Sequence, residues 1–94
     1  MYVVAILPML DLAADRRDRP AHEAYMKDLR DAGKIWAMGR FAGDLGGMAI
    51  LEVASLEEAR ALMSADPFIV GGARTLTLYP WSPSAPVAAI ESSP

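Results

Sequence analysis

Four short apolar segments and two amphipathic ones alternate along this chain in an order that few folds accommodate. Tyr2-Val3-Val4-Ala5-Ile6-Leu7 is β-branched and aromatic and apolar on both faces, the pattern of a buried inner strand. Pro8 predicts that regular pairing stops about there. The charged run from Asp11 to Asp18 reads as a solvated loop, its arginines interleaved with aspartates. Pro20 suits the first turn of a helix, where a missing N–H costs nothing. His22, Tyr25, Met26 and Leu29 then recur at helical spacing, and Gly33 after Ala32 is a C-terminal stop.

Ile35-Trp36-Ala37-Met38 opens a second strand that continues through Gly39-Arg40-Phe41. Gly43-Asp44-Leu45-Gly46-Gly47 is turn chemistry, and Met48 to Val53 reads as a third strand antiparallel to the second. Ser55-Leu56-Glu57-Glu58 is a capping box, in which the Ser55 hydroxyl and the Glu58 carboxylate satisfy free amides reciprocally. Leu56, Ala59, Leu62 and Met63 form the buried stripe of that second helix. Asp66 precedes Pro67 and is pushed out of the α region, which ends the helix. Thr75 to Tyr79 alternates as a fourth strand, and residues 82–94, rich in Pro, Ser and Ala, read as a flexible tail.

The resulting β-α-β-β-α-β order is that of an α+β ferredoxin-like sandwich: a four-stranded antiparallel sheet with two helices on one face. A chain of 94 residues holds one domain, here 1–81. Two helices leave one sheet face bare, yet Ala5 and Leu7 lie opposite Val4 and Ile6, and Trp36 and Met38 opposite Ile35 and Ala37. With 53% hydrophobic residues, that bare face needs covering. A homodimer of stacked sheets is the expected cover, with a hetero-partner or higher oligomer as alternatives; Trp36, Met38 and Tyr79 are expected in that interface.

The net charge of −3 argues against a nucleic-acid partner. Tyr2 to Leu10 is too short to span a bilayer, and it lacks the basic leader and cleavage site of a signal peptide, so no membrane role and a cytoplasmic location are expected. Without cysteine, thiolate sites and cysteine nucleophiles are excluded, and a single histidine makes a histidine metal site improbable. No nucleophile–base pair is visible among the serines.

The chemistry that remains is His22 and Asp66. In this topology the first helix begins where strand one ends, and the second helix ends where strand four begins beside it. Both residues are therefore expected at one edge of the sandwich. A carboxylate would orient the ring and leave the other nitrogen to take a proton from a substrate. The positive end of the helix disfavours an imidazolium at His22, and Asp66 favours it. A histidine packing at a helix end, with Asp66 merely stopping its own helix, accounts for the same spacing. Arg40, Tyr25 and Phe68 are candidate substrate contacts, and Arg74 shares with Arg40 the capacity to bind a carboxylate. The glycines from Gly39 to Gly47 lead into a strand, unlike a phosphate-binding loop, and would suit a mobile flap beside a pocket.

Several segments resemble the YciI-like (YCII-related domain) proteins of the dimeric α/β-barrel superfamily. They are Arg19-Pro20-Ala21-His22, Ala32-Gly33-Lys34, Gly39-Arg40-Phe41, Gly46 to Val53, Ser55 to Ala59, Ala65-Asp66-Pro67-Phe68 and Tyr79-Pro80-Trp81. The resemblance covers roughly residues 1–81. It implies a dimer of ferredoxin-like protomers whose pocket holds the family's histidine and aspartate, here His22 and Asp66. It also implies small-ring proton chemistry without a cofactor, as in the family's dehydrochlorinase and in muconolactone isomerase of the wider fold. Many members carry Gly-Pro where this chain has Gly39-Arg40, which puts a positive charge near the pocket mouth. The expected function is a small cofactor-independent enzyme using a His-Asp pair for elimination or isomerisation of a small cyclic or carboxylated metabolite. A non-catalytic small-molecule-binding or accessory dimeric module is the alternative.

Overall fold

The computed structural model describes residues 1–85; most of the expected tail, 86–94, lies outside them. The element order is β1 (Tyr2–Pro8), α1 (Leu12–Asp31), β2 (Ile35–Arg40), β3 (Gly46–Glu52), α2 (Leu56–Ser64), α3 (Pro67–Val70) and β4 (Thr77–Trp81). The sheet is antiparallel in the order β2-β3-β1-β4, an α+β ferredoxin-like arrangement. Strand β1 is central, and Val3, Ala5 and Leu7 point into a core shared with Ala49, Leu51, Met26, Leu29, Ala59 and Met63. The stripes read from the sequence thus meet on one sheet face, where their removal from water is the main favourable term.

The first helix is the largest correction. Asp11 to Asp18 is no loop: Asp11 caps the helix by accepting from the Ala14 N–H at 3.0 Å, and α1 runs unbroken for 20 residues. Pro20 stands inside it, not in its first turn. The ring removes the bond that the Arg16 carbonyl would accept. Arg16 and Pro20 are both exposed, so water solvates that carbonyl. His22 is therefore midway along α1, far from the positive helix end that the sequence suggested would act on it.

Smaller differences have equally local causes. Asp66 ends α2 as expected but also starts α3, accepting from the Phe68 N–H at 3.0 Å, with Pro67 in the first turn where its missing donor is harmless. Ser55 accepts from the Glu58 N–H at 3.1 Å, but Glu58 reaches the Ala54 N–H at 3.3 Å and Lys34 at 3.2 Å, so the capping box closes one residue early. Strand β4 begins at Thr77 and runs through Pro80, which an edge strand tolerates. Strand β1 pairs as far as Pro8, opposite Gly46.

An irregularity between Ile35 and Ala37 shifts the β2 register. Trp36 accordingly joins the open sheet face, while Met38, opposite the buried Ala49, turns to the helix side. Met38 is thus not on the face where dimer contacts were expected. On that open face Tyr2, Trp36 and Trp81 form an aromatic cluster with ring centroids 5.9–6.5 Å apart, and Tyr79 is 58% exposed.

Gly46 enters β3 with φ of 110°, and a Cβ there would collide with the Leu7 carbonyl oxygen. Gly46→Ala is expected to cost more than about 1 kcal/mol, read from the denaturant midpoint, because it adds strain to a clash with backbone.

Candidate functional site

One face of α1 supplies the site. Asp15, Arg19, His22 and Met26 follow one another at helical spacing, so the stripe that began at His22 in the sequence extends a further two turns toward the N-terminus. Across from it, α3 supplies Phe68 and its cap supplies Asp66. The segment after Gly72 doubles back beside the end of β1: Arg74 pairs with Met9, and the Leu10 and Asp11 N–H groups donate to the Ala73 carbonyl at 2.9 and 3.1 Å. The Phe68 carbonyl accepts from the N–H groups of Ala73 and Arg74, which ties Arg74 to the same short helix.

His22 Nδ1 lies 2.8 and 2.9 Å from the two carboxylate oxygens of Asp66. Asp66 is fully buried and the His22 side chain is 19% exposed. An ionised carboxylate only accepts, so it fixes the proton on Nδ1. The imidazole also stacks on Phe68, with centroids 3.9 Å apart and planes 19° from parallel. Nε2 has no hydrogen-bond partner among the described residues, and no sealed side-chain polar atom there lacks one. Nε2 is therefore reachable from solvent, and His22 lines the cavity.

That cavity measures about 290 Å³. Arg19, His22, Glu23 and Met26 form one wall, Met38, Gly39 and Arg40 a second, and Phe68 with Arg74 a third; Gly47 closes part of the base. Arg19, Arg40 and Arg74 face the cavity beside Glu23, while the carboxylates of Asp15 and Asp66 lie behind it, so cationic groups are presented to the recess over a buried layer of counter-charge.

Its electrostatics are anchored by Asp15, which is fully buried. Asp15 accepts from Arg74 Nε at 2.7 Å through one oxygen and from Arg19 at 2.6 Å through the other. Burial alone would raise its pKa, but the hydrogen bonds and charges of Arg19 and Arg74 outweigh that and hold the carboxyl below its ordinary range. Arg74 is only 6% exposed and also lies 4.2 Å from the centre of the Phe68 ring.

Of the residues expected from sequence, His22, Asp66, Phe68 and Arg40 gather around the cavity or directly behind it. Tyr25 does not line it. Its hydroxyl donates to the Leu62 carbonyl at 2.8 Å, and burial, aided by the nearby Asp66 charge, pushes its pKa up. Asp15 and Arg19 were passed over because the run containing them reads as loop. The signal was present: 15, 19, 22 and 26 fall on one helical face. Among the described residues no group of three or more His, Asp or Glu could hold a metal ion, and no helix is long and apolar enough to cross a membrane.

Residues 1–82 match the sequence pattern of the YCII-related domain. The uncharacterized protein YjpA of Bacillus subtilis is 28% identical over 81 residues, spanning 86% of this chain and 95% of that protein. Among solved structures, the 5-chloro-2-hydroxyhydroquinone dehydrochlorinase TftG of Burkholderia phenoliruptrix, in complex with 2,5-dihydroxybenzoquinone, superposes with a TM-score of 0.78 at 22% identity. The match covers 87% of this chain and 94% of that one, and it shows a shared fold.

Proposed function

The chain belongs to the YCII-related domain family, and within that fold we propose a small cytoplasmic enzyme that moves protons on a small cyclic or carboxylated metabolite by elimination or isomerisation, without a cofactor. One observation carries the reading: Asp66 engages Nδ1 of His22 with both oxygens while Nε2 stays reachable from solvent and His22 lines a cavity of about 290 Å³. A buried acceptor on one nitrogen and an unoccupied lone pair on the other are what a general base requires. Asp66 has no freedom to wander, because the same carboxylate caps α3.

The proposed step is a proton abstraction. Nε2 takes the proton from a substrate carbon or hydroxyl, and the electron pair of that bond forms a new double bond. In elimination a leaving group such as chloride departs with its own pair; in isomerisation the imidazolium returns the proton to a different carbon. Asp66 stabilises the imidazolium formed in between. The named activity of the structural neighbour is an elimination of this type on a ring of suitable size, which supports the reaction class by analogy.

The test is exchange with solvent deuterium. Hydroxylated and chlorinated ring compounds, 5-chloro-2-hydroxyhydroquinone among them, are incubated with the protein in heavy water. Deuterium incorporation or chloride release above the protein-free rate is the expected result. A cavity that binds such compounds yet exchanges nothing would instead make the chain a binding module.

We also infer that the bare sheet face pairs with a second copy. Trp36 and Trp81, 37% and 40% exposed, sit beside Tyr2 and Tyr79 on a sheet face that the helices do not cover. Trp36→Glu would bury an unpaired charge in that contact. It is expected to convert a dimer to monomer in sedimentation velocity; a wild-type monomer would refute the inference.

A further inference from the structure

Of the charged groups lining the cavity that the mechanism above leaves unused, Arg74 is the most deeply buried. Arg74 is more than nine-tenths buried, and only its Nε is engaged, by Asp15. Its two terminal amino groups have no partner among the described residues, and no sealed polar atom there lacks one. They are therefore reachable from solvent; Arg74 lines the cavity, and one of them lies beside Gly47 in its wall. Water meets these donors in the free protein, and an anionic oxygen that replaced it would gain charge-assisted hydrogen bonds.

We propose that Arg74 is the receptor for an ionised oxygen of the substrate, so that the site selects ring compounds carrying a phenolate, enolate or carboxylate. The proposal rests on the proton-transfer reading of the same cavity and narrows it. The Phe68 ring is the yardstick. His22 stacks on it at 3.9 Å and the Arg74 guanidinium carbon lies 4.2 Å from its centre, so base and cation are separated by no more than the sum of those distances. Both groups line the same cavity as Phe68, so one bound ring compound can meet His22 with a proton and Arg74 with an oxygen.

The cation is also held ready. Asp15 fixes Nε and is itself shared with Arg19, so orienting the guanidinium does not consume its outer donors. Gly47 leaves the room: a Cβ there would lie 3.3 Å from a terminal nitrogen of Arg74 and 2.6 Å from the Gly39 carbonyl oxygen. As the proton moves to His22, negative charge accumulates on the substrate oxygen, where a preorganised donor pair stabilises it most.

Calorimetric binding tests this with 2,5-dihydroxybenzoquinone, which is ionised at neutral pH, and with its neutral dimethyl ether. Wild type is expected to bind the ionised quinone at least about tenfold more tightly than the ether. Arg74→Gln should abolish that preference, and Arg74→Lys, which keeps the charge without the fork, should restore part of it. Should Arg74→Gln fold poorly, the charge-neutral Asp15→Asn/Arg74→Gln pair provides the same comparison. His22→Asn should keep the preference for the ionised quinone over the ether whatever its absolute affinity, so this inference and the proton-transfer reading fail separately. Equal binding of quinone and ether by wild type, or an undiminished preference without Arg74, would overturn it.

Discussion

His22→Asn lowers kcat by about 10²–10⁴-fold, the range a positioned general base contributes, and leaves the thermal unfolding curve close to that of wild type. Asparagine can still donate to Asp66 and fill part of the space against Phe68, but it offers no basic lone pair to the cavity. Fold and chemistry therefore separate in this variant. Asp66→Asn should lose activity while still accepting from the Phe68 N–H through its amide oxygen, because the amide can present a donor to Nδ1 and favour the wrong tautomer. Steady-state kinetics on any substrate found by deuterium exchange reads both effects; unchanged kcat in His22→Asn would remove the proposed role.

Asp15→Ala costs about 3–5 kcal/mol of stability, the usual loss when one partner of a buried ion pair is removed. Arg74 would keep its charge in a site 6% exposed, with its Nε unpaired. The Arg17–Asp18 pair makes a useful contrast, since Arg17 is 62% exposed and breaking the pair should leave the denaturant midpoint close to that of wild type. Combining Asp15→Ala with Arg74→Met should lose less than the two single changes added together. The same carboxyl predicts acid lability. Its folded pKa lies below its unfolded value, so its contribution is fully present above the ordinary carboxylate range of about 4 and is lost as pH falls through the folded value. Urea midpoints measured downward from neutral pH should fall more steeply in wild type than in Asp15→Ala/Arg74→Met.

Periodicity carried the fold because burial in a sheet with helices on one face leaves a period of two in strands such as Val3-Ala5-Leu7 and a helical period in Met26 and Leu29. It misplaced the start of α1 because Pro20 is a strong local signal for a first turn, and only the solvent exposure of Arg16 and Pro20 makes an internal proline tolerable. The charges from Asp11 to Asp18 looked solvated because nothing in the local sequence reveals Arg74, distant along the chain but paired with Asp15. Met38 changed sides through an irregularity in β2 that no residue type announces. His22 and Asp66 were expected together, but the topological argument had placed His22 at a helix start that the structure moves from Pro20 to Leu12, so the family resemblance was the better guide. Arg40 and Arg74 were named as candidate carboxylate contacts, but their meeting with Arg19 and Asp15 was not legible, since that cluster is assembled from α1, the end of β2 and the turn after α3.

The central claim concerns one proton on one ring, and ¹⁵N NMR of His22 reads it directly. In mildly alkaline solution the neutral imidazole should carry its hydrogen on Nδ1, with Nε2 showing the shift of an unprotonated nitrogen, and Asp66→Asn should abolish that preference. A neutral ring protonated on Nε2 in the wild-type protein would contradict the account, because the nitrogen facing the cavity would then have no lone pair with which to take a proton.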